Sequence, residues 1–77
     1  MIIEKVKDGY VITVKLHRGG TYRTHQEREF NFRITVDFEF GVNIPATGDI
    51  NDPESLKVLT DAIILAGKLL TREISID

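Results

Sequence analysis

From Phe30 to Phe40 every second residue is large and apolar: Phe30, Phe32, Ile34, Val36, Phe38 and Phe40, with Glu29, Asn31, Arg33, Thr35, Asp37 and Glu39 in alternation with them. Period two sustained over that length is the pattern of a strand with one buried and one wet face, and nothing else in the chain constrains its folding so tightly. Such a strand is read over residues 28–40, and at about 3.3 Å per residue its eleven alternating residues, 30–40, run roughly 35 Å. That is longer than the other strands this sequence offers. Part of it must therefore pair with something further or stand proud.

Two shorter apolar runs, 2–7 and 10–16, precede it and flank Lys7-Asp8-Gly9. Asp-Gly is a hairpin signal, and the hydrophobic pattern chooses the register. A two-residue turn at Asp8-Gly9 sets Val6 opposite Val11 and Lys5 opposite Ile12, which scatters the apolar side chains over both faces. A loop Lys7-Asp8-Gly9, with Gly9 left-handed in a bulge, sets Val6 against Tyr10 and Ile2 against Val14. One face then collects Ile2, Val6, Tyr10, Ile12, Val14 and Leu16, so this register is the predicted one. The second run pairs antiparallel with the long strand, Leu16 by Phe30, Val14 by Phe32, Ile12 by Ile34 and Tyr10 by Val36. The segment from His17 to Arg28 is a polar excursion, either a hairpin arm in the same register or a flexible loop. A tight turn at Gly19-Gly20 is rejected, because it sets Val14 against His25 and Leu16 against Arg23.

Gly41 to Asn51 reads as loop, with Val42 and Ile44 able to add a short strand before Pro45. Asp52 is a natural N-cap, Pro53 suits the first helical position and Glu54 the positive end of the dipole. A helix is predicted over 53–72, with Lys68 and Arg72 at its negative end. Leu56, Val58, Leu59, Ala62, Ile63, Leu65, Ala66, Leu69 and Leu70 fill half of its wheel, the arc of a helix lying on a sheet. Ile64 is stranded in the polar half among Lys57, Thr60, Asp61, Lys68, Thr71 and Arg72. Ile74 and Ile76 alternate in a tail that is a short edge strand or frayed. The fold class is α+β: an antiparallel sheet of three to four strands, covered on one face by a single C-terminal helix, in the order β-β-β-α.

The 77 residues make one domain, 1–77, small enough that association is a natural way to gain stability. There is no cysteine, which removes disulfides, thiol catalysis and cysteine-based zinc sites. No apolar stretch is long enough to span a bilayer and the first residues do not read as a signal peptide, so a cytoplasmic protein away from membranes is expected. The net charge of -2 hides a dipole. Residues 1–35 carry seven basic and four acidic groups, +3, and residues 36–77 carry three and eight, -5. Such a dipole favours head-to-tail association or the steering of a charged partner.

Catalytic candidates are thin. His17 and His25 lie in the polar excursion, and neither Ser55 nor Ser75 sits on a strand-to-helix elbow, so no catalytic residues are assigned and the chain is not read as an enzyme. A metal at His17 and His25 needs a third ligand, Glu27 or Glu29, and solvated loop histidines are the simpler account; no metal or cofactor is expected. Asp49-Ile50-Asn51-Asp52-Pro53-Glu54 has a calcium-loop look that helix capping explains. Arg18-Gly19-Gly20-Thr21-Tyr22-Arg23 offers free backbone N–H groups, two arginines for phosphate and Tyr22 for stacking.

Three antiparallel strands backed by a C-terminal helix resemble, in order only, integrase arm-binding domains and related sheet-based DNA readers. That resemblance implies an uncovered sheet face lying in the major groove, presenting Lys5, Lys7, Thr13, Lys15, Asn31 and Arg33, with Asp37 and Glu39 against it. A nucleic-acid interface of Lys15, Arg18, Tyr22, Arg23 and Arg33 is therefore the alternative reading. The first is association. Ile64 flanked by Lys57 and Lys68, Ile3 and Val11 on the uncovered sheet face, and Phe38 and Phe40 at the end of an over-long strand are apolar groups without a place in the core. Ile64, Lys57, Lys68, Phe38 and Phe40 form the expected partner-binding set. The chain is read as a small non-catalytic protein-interaction module and a homodimer, binding or blocking a macromolecular partner. Its size and composition are those of phage and mobile-element accessory proteins, including inhibitors of host defence.

Overall fold

The structure is a computed structural model that describes residues 1–18, 28–48 and 50–76, with the backbone alone at Arg18 and Arg28. Strands β1 (Ile2–Val6), β2 (Gly9–Arg18), β3 (Arg28–Asp37) and β4 (Gly41–Asn43) precede one helix, α1 (Pro53–Leu70). The strands form one antiparallel sheet in chain order. The helix lies across β2, β3 and β4 and does not reach β1. Between the two layers sit Tyr10, Ile12, Val14 and Leu16 of β2, Phe32, Ile34 and Val36 of β3, and Leu59, Ala62, Ala66 and Leu69 of α1, closed at one end by Ile50. This is the expected α+β arrangement, with β4 supplying the fourth strand.

The pairing of β2 with β3 follows the alternation: Leu16 opposes Phe30, Val14 Phe32, Ile12 Ile34 and Tyr10 Val36. The ladder continues through His17–Glu29 and Arg18–Arg28, so the polar excursion begins as a hairpin arm in register. Gly19-Gly20 lies outside the described residues.

Three expectations are corrected. The β1–β2 turn is Lys7-Asp8, which sets Val6 opposite Gly9 and Ile3 opposite Ile12. Ile3 then packs against the core, while Ile2 and Val6 are exposed on the other face. A shift of one residue flips every side chain of a strand, and here the backbone forces it. Asp8 C=O accepts from Phe38 N–H at 2.9 Å, and β3 passes so close to Gly9 that an added Cβ would stand 2.8 Å from the Val36 carbonyl carbon. Gly9 is thus a strand residue at a close approach, not a left-handed bulge; among the described residues only Gly41 is a glycine with positive φ.

The long strand ends at Asp37, not at Phe40. The Asp37 carboxylate accepts from Glu39 N–H at 2.8 Å and Phe40 N–H at 3.1 Å, an Asx turn that folds the chain back. Gly41, at φ 96°, re-enters the sheet opposite Asp37. The period of two runs on through the turn, but it no longer means one face: Phe38 meets Tyr10 edge to face at 6.0 Å, and Phe40 is 84% exposed.

The helix starts as expected, with Asp52 accepting from Ser55 N–H, and stops two residues early. Arg72 N–H bonds Leu69 C=O and Glu73 N–H bonds Lys68 C=O, with Arg72 at φ 60°. This is a Schellman ending with arginine where glycine is usual. The buried stripe, Ser55, Leu59, Ala62, Ala66 and Leu69, is narrower than the predicted half-wheel, because the helix covers only part of the sheet; Leu56, Val58 and Ile63 stay exposed. Among the described residues the tail forms no strand; Ile76 N–H reaches Tyr10 Oη at 3.4 Å.

Arg72 carries a left-handed backbone, which costs an L-residue about 1–2 kcal/mol, while its guanidinium lies 4.6 Å from the Phe38 ring centroid, worth about 0.5–1 kcal/mol at a surface. Arg72→Gly removes both and leaves thermal stability unchanged or slightly raised. Arg72→Ala removes only the contact and lowers it. Melting curves in which the glycine variant is the less stable of the two would contradict this account of the helix end.

Candidate protein-interaction face

The register of β1 decides what the uncovered sheet face presents. Odd residues of β2 and β3 point away from the helix, and pairing places Ile2 beside Thr13 and Arg33, Glu4 beside Val11 and Thr35, and Val6 beside Gly9 and Asp37. Beyond these lie Lys15 opposite Asn31 and His17 opposite Glu29. The face thus has two regions. Where β1 and β4 flank the long strands, it carries Ile2 at 60% exposure, Val6 at 43% and the half-buried Val11. At the far end it is polar, with Lys15 Nζ 3.6 Å from a Glu29 carboxylate oxygen.

The apolar region ends in a cavity of about 470 Å³ between the two turns, lined by Val6, Asp8, Thr35, Asp37, Phe40 and Val42 among others. Phe40 stands at its rim because the Asx turn projects residues 38–40 past the last strand pair. Its phenyl ring contributes little to the core. An aromatic side chain is thus held out by a backbone-fixed turn, beside further exposed aliphatic groups and an open cavity.

The other residues singled out in the sequence are not gathered here. Ile64, at 54% exposure, and the exposed Lys57 and Lys68 lie on α1, in the opposite layer from Phe40's cavity. Phe38 is half-buried between Tyr10 and Arg72 and is a packing residue. Ile3, expected on the uncovered face with Val11, is on the helix side.

The nucleic-acid set is split in the same way. Lys15 and Arg33 are on the uncovered face, but Lys5 belongs to the helix side, Glu4 takes its place, and Lys7 sits in a turn. Glu4, Glu29 and Asp37 then face Lys15 and Arg33 on one surface, a balance that gains little from counterion release. Tyr22 and Arg23 lie outside the described residues, as does the side chain of Arg18.

Ser55 and His17 meet through the backbone. Ser55 is 3% exposed; its Oγ accepts from His17 N–H at 2.9 Å and donates to Asp52 Oδ2 at 3.0 Å. The hydroxyl joins the helix N-terminus to the edge of β2, accepting one hydrogen bond and donating its proton in doing so. His25 and Asp49 lie outside the described residues. No helix among the described residues is long and apolar enough to cross a membrane.

No family model, no curated protein and no solved structure matches the chain.

Proposed function

We propose that the protein is a non-catalytic interaction module that self-associates and binds or blocks a macromolecular partner with the apolar part of its uncovered sheet face. The observation that carries the reading is Phe40, held by the Asp37 turn at 84% exposure on the rim of a cavity. Aromatic residues anchored beside a pocket are where binding energy concentrates, and the fold itself has no use for this one. A cytoplasmic protein partner is part of this proposal, and an accessory role in blocking a host protein is one form it takes.

The test compares Phe40→Ser with Ile64→Ser. Both positions are exposed, so each variant melts close to the parent. Proteins retained from a lysate by the parent and by Ile64→Ser, and weakened about tenfold or more by Phe40→Ser, support the reading. An unchanged set of captured proteins in Phe40→Ser overturns it. Duplex DNA and RNA at low salt serve as the other arm: binding that falls on Arg18→Ala and Arg23→Ala points to a nucleic-acid partner instead.

A further inference from the structure

Among the described residues the β3 edge is open over most of its length, and the residues along it are complementary to themselves. His17 gives its N–H to Ser55 on the edge of β2 away from β3. In an antiparallel ladder the N–H and C=O of one residue point to the same side, and successive residues alternate. Even residues of β2 therefore bond β3, and the odd residues of β3 turn their backbone groups outward. Thr35 and Asp37 meet Asn43 and Gly41 of β4. Among the described residues, Glu29, Asn31 and Arg33 meet no strand and no loop backbone bonds to them. Of the ten residues of β3, the three opposite β4 are covered, which leaves seven, Arg28–Ile34, with Asn31 at the centre.

We infer that a second copy of this chain occupies that edge, β3 pairing antiparallel with its twin about a two-fold axis at Asn31. This deepens the self-association in the proposed function and names its surface. Centring on Asn31 is the register that uses the whole open stretch without meeting β4. It is also the register in which the side chains agree. Glu29 falls opposite Arg33 of the partner subunit, and Arg33 opposite Glu29 of the partner subunit, on the uncovered face. Cross-strand pairs of opposite charge are among the units that stabilise a sheet. Asn31 meets itself, and the outward groups of Glu29, Asn31 and Arg33 all find partners. The result is one continuous sheet across two subunits, the isologous closure that blunts an edge otherwise open to any strand.

Sedimentation over a concentration series tests this. The parent sediments as a dimer. Arg33→Glu sets two carboxylates against each other, the new one and that of Glu29, at both ends of the seam, and raises the dissociation constant about tenfold or more. The double reversal Glu29→Arg/Arg33→Glu restores complementarity and recovers association. Asn31→Pro removes the central N–H and weakens the dimer as Arg33→Glu does; should that variant fail to fold, the charge reversals decide. A parent that stays monomeric to its solubility limit overturns the inference. So does a dimer indifferent to Arg33→Glu, or one that the double reversal does not rescue. An indifferent dimer moves self-association to another surface and leaves the proposed function standing, whereas loss of partner capture depends on Phe40 and is scored separately.

Discussion

Gly9→Ala lowers the melting temperature by about 15 °C, the steepest loss expected from any single methyl group added to this chain. The new Cβ overlaps the Val36 carbonyl oxygen and lies 3.2 Å from Asp37 Cα, so what must yield is backbone and not a flexible side chain. Forcing a methyl into such a space costs about 3 kcal/mol, and each kcal/mol moves the midpoint of a domain this size by about 4–8 °C. The strain falls where Asp8 C=O accepts from Phe38 N–H and where Tyr10 pairs with Val36, so the end of β3 and the turn to β4 loosen together. Gly67→Ala is the matched control. Nothing stands within 4 Å of a Cβ there, and alanine in a helix interior gains about 1 kcal/mol over glycine. The same chemical change thus raises the midpoint at 67 and lowers it at 9. Circular dichroism melts reporting the same sign at both positions, or a Gly9→Ala midpoint within a few degrees of the parent, refute the close approach.

The second large effect belongs to Ser55→Ala, with an expected loss of about 2 kcal/mol. The substitution strands His17 N–H at an edge the helix covers, and takes from Asp52 the hydroxyl proton it accepts at 3.0 Å. Asp52 keeps Ser55 N–H at 3.1 Å, so the helix cap survives; Asp52→Ala alone costs about 1 kcal/mol. Because the two side chains share a hydrogen bond, the double variant loses less than the sum of the two single losses. Ser55→Thr keeps a hydroxyl and retains most of the stability. Denaturant unfolding of the four proteins completes the cycle. Strict additivity shows that the Ser55–Asp52 hydrogen bond carries no coupling, and an alanine loss below about 0.5 kcal/mol shows that water replaces the serine and that the bridge to β2 is dispensable.

The central hairpin was legible because β2 and β3 each offer four or more apolar residues in alternation, and only one register stacks them. β1 has too little of that signal. It sends a single aliphatic group, Ile3, to the core, so counting apolar residues favoured a register that buries Ile2 and Val6. The backbone approach at Gly9, which has no signature in the hydrophobic pattern, decided otherwise. The end of β3 was hidden for the opposite reason. Phe38 and Phe40 keep the period of two, while the feature that breaks the strand is Asp37 with Gly41 four residues on, the spacing of a hairpin with a three-residue loop. Phe40 stands out in the sequence as the end of an over-long strand and is exposed through the turn instead. For the uncovered face, the exchange of Lys5 for Glu4 follows entirely from the one-residue shift in β1.

The four strands follow one another across the sheet in chain order, so each pairing closes a short loop. Long-range closure is left to the docking of α1, where Ser55 reaches back 38 residues to His17, and to the tail, where Ile76 reaches back 66 to Tyr10. Loop entropy therefore gathers at the end of folding rather than being spread along it. The expected order is local hairpins first and the helix last. On that order Ser55→Ala raises the unfolding rate and leaves the folding rate nearly unchanged.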